Sequence, residues 1–279
     1  MLTQTLPDCE LAQTGFDPLF LSTPLDVPSL DVALHADTFA LDGSEVIPYT
    51  HFSLALSKTR RFPRWVAWNI DGGNLKKLNR AGIPFTKDPR IPAEFQTGNE
   101  LYSNNRVDRG HIARRADLLW GPLPEADRAN TDSFYYTNIT PQMDDFNQSA
   151  KQGLWGELEN AVFDEVDVQN LRISVFGGPI FHDDDRVYRG TKIPREFFKI
   201  IVFAEGGTLK ARAFVLTQNL DELEAFALDE FRVYQVAVGE VEQRTGLQFA
   251  TEIRVADTFA EVEAFGPRPP LNSLSDIRW

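Results

Sequence analysis

Cysteine is nearly absent: Cys9 stands alone in 279 residues, so no internal disulfide can form. The expectation is a chain that folds under reducing conditions, although a disulfide-free exported protein fits as well. No apolar stretch approaches the ~18 residues of a membrane-spanning helix, so no membrane partner is expected. The start, MLTQTLPDCELAQTG, lacks a basic region followed by an apolar run. A Sec leader is therefore not expected. A cytoplasmic location is expected instead, with non-Sec export or delivery as an effector left open. No repeat or low-complexity segment appears. Histidine is scarce, with only His35, His51, His111 and His182. Basic charge is also in deficit, 28 Lys and Arg against 41 Asp and Glu, for a net charge of −13. That sum argues at first against a polyanionic partner.

The charge distribution argues the other way. Between Ser57 and Arg115, thirteen Lys and Arg face five Asp and Glu, a local charge of +8 that leaves −21 for the rest of the chain. The field near a site counts for more than the total, so a basic face on an acidic body can attract a polyanion. A solvated basic loop is the plainer alternative.

With 42% apolar and 25% charged residues, the composition is that of an ordinary globular chain. Residues 1–46 have several prolines and no clear period, and read as an N-terminal extension or accessory arm. Residues 47–265 read as one catalytic domain and 266–279 as a tail. RFPRWVAWNI, bounded by Pro63 and by Asp71-Gly72-Gly73, reads as a strand. KDPRIPAEFQTGNELYSNN reads as a loop, and SFYYTNITPQ as a short strand ending at Pro141. FNQSAKQGLWGELENAVFDEV has helical apolar spacing. LRISVFGGPIF, REFFKIIVFA and LKARAFVLTQN read as strands, and VGEVEQRTG as a short helix stopped by Gly246. Strands with interspersed helices predict an α+β fold around a central mixed or antiparallel sheet.

One stretch concentrates the chemistry. VDRGHIARRADLLWG, residues 107–121, holds Arg109, Arg114 and Arg115 around His111. Asn138 follows in TNITPQ, then Asn147 in FNQ at a helix start, then Glu159. Phosphodiester hydrolysis needs a base for water, and an unperturbed histidine titrates near ~6.5. It also needs cations for the phosphoryl oxygens and for the leaving oxygen. Magnesium accepts one amide oxygen and keeps most of its waters, which Asn147 and Glu159 suit.

These motifs resemble those of the sugar-nonspecific DNA/RNA endonucleases with a ββα-metal fold, the family of Serratia nuclease and endonuclease G. Asp108–His111 match its D-R-G-H motif, TNITPQ at 137–142 its S-N-I-T-P-Q-like strand, and Phe146-Asn147-Gln148, Trp155 and Leu158-Glu159 its helix. Weaker echoes, GGPIF, IPREFFKIIV, AFVLTQN and EVEQRTGL, keep the order over roughly residues 50–250. The resemblance implies His111 as general base, Asn147 as the Mg2+ ligand (Mn2+ or another divalent cation substituting) and Glu159 as its partner through water. It also implies Arg109 and an upstream arginine on phosphate, with Asp108 in the motif and Asn138 in support.

Three departures stand out. IARRAD follows the histidine where many members have a proline. Twelve residues separate Asn147 from Glu159 where eight are common; the extra turn keeps the helix face to roughly 40°, so Glu157 is a reserve. The upstream arginine is Arg80 by its spacing to Asp88-Pro89, but Arg90 is close by. Arg114 and Arg115 read as phosphate contacts, or as partners of Asp117. His35, His51 and His182 read as structural or surface residues, HDDD at 182–185 as a solvated turn, and Trp120 and Trp155 as core.

The expected activity is Mg2+-dependent cleavage of DNA and RNA. A catalytically inactive nucleic-acid-binding relative and a small-molecule phosphodiesterase are the alternatives. Such an activity calls for restraint by an inhibitor or immunity protein, by export or by a closed assembly. A homodimer fits the sequence too.

Overall fold

The computed structural model describes residues 13–104, 107–143, 168–218, 220, 232–259, 270–271 and 273–278. In chain order the strands are β1 Ser29–Leu30, β2 Ile47–Pro48, β3 Phe52–Leu56, β4 Pro63–Asp71, β5 Val107–His111, β6 Ile139–Met143, β7 Val168–Ile180, β8 Val187–Tyr188, β9 Thr191–Lys192, β10 Glu196–Glu205, β11 Thr208–Thr217, β12 Arg232–Val236 and β13 Leu247–Gln248. The helices are α1 Val32–His35, α2 Asn99–Tyr102, α3 Leu123–Asp132, α4 Val238–Thr245 and α5 Thr251–Ala256.

Seven strands form one sheet in the order β12-β11-β10-β7-β4-β3-β2, with every pairing antiparallel. The expected α+β class around a central sheet is therefore the one observed. Its middle strands are apolar on both faces because both are covered. On β4, Val66, Trp68 and Ile70 enter one core, while Trp65 and Ala67 enter the other. On β10 the same alternation sends Phe197, Ile201 and Phe203 one way, and Phe198, Ile200 and Val202 the other. Each such side chain contributes roughly 1.5–3 kcal/mol when fully buried. The glycine pair of β7 has a packing reason: Trp68 lies 3.2 Å from where a Cβ on Gly177 would be.

One face carries the β5–β6 hairpin, through Val107, Ile112, Ala113 and Ile139. The other carries α4 and α5, through Val238, Val241 and Ile253. Gly246 closes α4 with φ +69°, as its position after the helix predicts.

Residues 13–46 are built into this body. Phe16 and Leu25 are buried on the face opposite the hairpin, and β1 pairs with β13. Two local readings change. The TNITPQ segment is a 3-10 turn at Tyr136–Asn138 followed by β6, which runs through Pro141 to Met143. The KDPR loop contains a 3-10 turn at Ala93–Phe95 and helix α2.

Candidate active site

The β5–β6 pairing runs from Val107↔Met143 to His111↔Ile139 and sets the Asp108–His111 motif beside TNITPQ. A Cβ on Gly110 would meet the Gln142 side chain at 2.0 Å. The third motif residue is a glycine because Gln142 lies across the hairpin there. Strand alternation turns Asp108 to that same side, and Arg109 and His111 to the other.

Asn138 is fully buried. Its side-chain oxygen accepts from Ala113 N at 2.9 Å, and its amide donates to Ala113 O at 3.0 Å and to Ser133 O at 3.1 Å. Its backbone carbonyl accepts from Ile112 N at 3.0 Å. Asn138 thus clamps the chain as it leaves His111. It supports the site as a positioning residue, and both of its amide hydrogens are committed.

His111 lies against Phe85 at 5.6 Å and, edge-on, Phe134 at 5.3 Å. Its Nε2 is buried and has no hydrogen-bond partner among the described residues. Burial first, then the charges of Arg80 and Arg115, push its pKa down to about 3. The unperturbed value assumed from the sequence does not hold here, and the imidazole is neutral at physiological pH.

Arg115 donates to Asn130 Oδ1 at 2.6 Å and to the Leu78 carbonyl. Arg80 lies over the Phe134 ring at 5.7 Å. Burial and Arg80 lower the pKa of Arg115. Neither arginine has a carboxylate partner among the described residues. Two like charges are thus held near a neutral imidazole with no counter-ion among the described residues, an arrangement whose field attracts an anion.

Arg109 packs between Phe85 at 5.3 Å and Tyr102 at 5.2 Å. It donates to Tyr136 Oη at 3.3 Å and to Asn99 Oδ1. Arg114 stands 3.8 Å from Asp117, with about a third of its side chain exposed. Of the two upstream arginines, Arg80 is the one whose charge reaches His111. Arg90 is consumed by both oxygens of Asp88, by Gln13, by the Pro48 carbonyl and by the Tyr49 ring.

The structure therefore brings together His111, Arg80, Arg115, Arg109 and Asn138. Asn147, Glu159, Glu157 and Trp155 lie outside the described residues. The described residues contain no cluster of three or more His, Cys, Asp or Glu able to hold a metal. The other histidines have structural partners. His51 bonds the Leu118 carbonyl and Glu125 and stacks on Trp120, His182 bonds Glu196, and His35 bonds Glu45. HDDD is a turn pinned by Arg60 on Asp185.

The sequence reading missed Phe85, Phe134, Tyr102 and Asn130, which wall or brace the site. It also missed α3, which carries Asn130. Pro124 in its first turn, followed by Glu125, is the start signal that was there to find. The four supporting residues carry no spacing signal, because they come from separate segments.

A family model for DNA/RNA non-specific endonucleases matches residues 32–256. Protein y4fB of Sinorhizobium fredii is 36% identical over 288 residues, covering 95% of this chain and 42% of its own length, so the chain spans less than half of that relative. Mitochondrial endonuclease G of Bos taurus is 28% identical over 188 residues, covering 63% of this chain and 58% of the bovine protein. The nuclease of Serratia marcescens is 28% identical over 209 residues, covering 70% and 71%. A solved complex of EndoG with EndoGI, described as showing the mechanism of EndoG inhibition, aligns with a TM-score of 0.58 at 22% identity, over 75% of this chain and 86% of that one. That likeness concerns the fold. With the family match spanning most of its length and the motif residues gathered around one imidazole, the chain belongs to the DNA/RNA non-specific endonuclease family.

Proposed function

We propose that the protein is a Mg2+-dependent endonuclease that hydrolyses DNA and RNA with little base preference, using His111 as general base. One observation carries this reading: a buried imidazole nitrogen, unpartnered among the described residues, beside two guanidinium groups that pair with no carboxylate there. An unpaired buried nitrogen costs about 1–3 kcal/mol, a cost tolerated where chemistry needs a free acceptor.

A phosphodiester entering between Arg80 and Arg115 would supply the missing negative charge. It would also cancel the repulsion those arginines exert on a protonated His111, raising the imidazole's pKa when a base is needed. Water then gives its proton to the His111 imidazole as its oxygen bonds to phosphorus. The bond from phosphorus to the leaving oxygen breaks, and solvent protonates that oxygen. Arg80, Arg115 and Arg109 stabilise charge on the phosphoryl oxygens. Asn138 holds the backbone at 111–113 so that the ring keeps its place. The donors proposed for the metal, the Asn147 amide oxygen and waters held by Glu159, are hard oxygen ligands that suit Mg2+. When bound, the ion would stabilise charge on the leaving oxygen.

The partners proposed are DNA, RNA and a proteinaceous inhibitor, the last by analogy with the EndoG complex. Such an inhibitor would present acidic groups to the +8 segment and associate fast at low salt.

The test is plasmid nicking with Mg2+ and with chelator, for the native chain and for His111→Ala. The native chain should nick only with the divalent ion. The variant should lose about two to four orders of magnitude in rate while still binding DNA. Near-normal cleavage by His111→Ala would overturn the assignment.

A further inference from the structure

A second cationic pocket is lined by none of the residues gathered around His111. It is a cavity of about 470 Å³ between the Ser57–Phe62 turn, the end of β7, the β8–β9 hairpin and α4, within the size range of ligand sites. Five cations line it, and three are neutralised: Arg64 by Asp37, Arg60 by Asp185, and Arg244 by Glu196 and Glu240. Arg61 and Lys192 are different. Arg61 uses one nitrogen, on the Gly190 carbonyl and the Thr191 hydroxyl. Lys192 donates to the Asp183 carbonyl at 2.7 Å. Among the described residues the hydrogen bonds of both cations go to neutral oxygens, and the carboxylate that feels Arg61, Glu100, does so through charge without an ion pair. The Asp183 carboxylate is the one lining acid without a cationic partner.

The backbone supports the same reading. Arg61 has φ +62° and Arg189 has φ +48°, a region L residues enter at a cost, most often as Asn or Asp. Arg189 and Gly190 form the two-residue turn of β8–β9, where Asn-Gly is the relaxed choice. Arginine occupies both strained positions, and each holds the pocket's wall: Arg61 through Gly190 and Thr191, Arg189 through the Glu100 and Ser103 carbonyls at α2.

From α2 the contacts continue to the active site. Asn99 bonds Arg109, Arg109 packs on Phe85, and Phe85 packs on His111. We infer that Arg61 and Lys192 anchor a backbone phosphate of the same nucleic-acid strand, remote from the phosphodiester being cleaved. This inference rests on the proposed nuclease reading and adds a strand-holding site to it. Free phosphate or a nucleotide phosphate presents the same chemistry, but the unbroken run of contacts to Arg109 favours the strand.

The test uses the full chain carrying His111→Ala, so that binding is read without cleavage, with and without Arg61→Gly plus Lys192→Gln. Glycine suits φ +62°, so the first change removes the cation while relaxing the backbone. Probes are a dinucleotide, a single strand longer than about 16 nucleotides, and inorganic phosphate. The expected result is several-fold weaker binding of the long strand, with its salt slope reduced by about 0.7 per lost phosphate contact, and unchanged dinucleotide binding. Equal binding of the long strand by both forms would overturn the inference. So would a phosphate-binding signal that the double change abolishes while long-strand binding stays the same, because the pocket would then serve a free anion. In the chain with His111 intact, failure to cut either DNA length would count against the nuclease reading alone, since the binding comparison stands without it.

Discussion

Replacing Asn138 by alanine tests how the site is held. Its side chain pairs three backbone groups, the N–H and C=O of Ala113 and the C=O of Ser133, and both of those residues are fully buried. Alanine leaves all three without partners. Each unsatisfied buried group costs about 1–3 kcal/mol, so roughly 3–6 kcal/mol is expected after some relaxation, above the usual range for a single substitution. Asn138→Asp should do no better: it keeps an acceptor for Ala113 N but turns a carboxylate toward two carbonyls. The assay is urea unfolding of the native chain and both variants, with nuclease activity measured at denaturant levels where each is still folded. Activity per folded molecule should fall as well, because the same bonds fix the backbone just after His111. A loss below about 1 kcal/mol, or full specific activity in the folded variant, would refute the clamp.

The pKa of His111, held near 3, means the free enzyme carries a neutral imidazole well below the ordinary histidine range. The pH profile of kcat/KM should therefore show no His111 limb near pH ~6.5. Arg80→Ala should move that limb upward, since it removes a like charge, and a limb near the unperturbed value in the native enzyme would contradict the site's electrostatics. The sign for stability follows from the depressed pKa: the unfolded chain takes up a proton below about 6.5 that the folded chain refuses. This contribution to stability is lost as pH falls toward 3, which acid titration of the unfolding free energy in native and His111→Ala chains would measure. Gly110→Ala should destabilise the hairpin, and Gln142→Ala should rescue much of the loss because the clash is with that side chain; strictly additive effects in the double mutant would reject the contact. Deleting residues 1–46 should destabilise the fold, because Phe16, Phe20 and Leu25 are buried and each is worth roughly 1.5–3 kcal/mol; a truncated chain as stable as the native one by thermal unfolding would show the arm to be dispensable.

The local features of this protein were legible in the sequence. Runs of β-favouring residues between turn signals located β4, β7, β10 and β11, and Gly246 marked the end of α4, because these depend on neighbours within a few residues. The motifs singled out His111, Arg109 and Asn138, since chemistry restricts which residue types can serve. Tertiary structure decided what sequence spacing does not encode. Arg80 and Arg90 lie ten residues apart with the same side chain, yet Asp88 and Tyr49 occupy one while the other stands by His111. The pKa of His111 depends on burial and on charges 31 residues before and 4 residues after it in the sequence. The motif glycine is explained only by Gln142 on the partner strand. Residues 1–46 read as an arm because their apolar residues have no period; Phe16 and Leu25 instead pack singly into a face that other segments build. Sequence specifies which groups are available and the local geometry they prefer. Long-range packing decides which charges meet, and it set Arg80 and Arg115 beside a neutral imidazole.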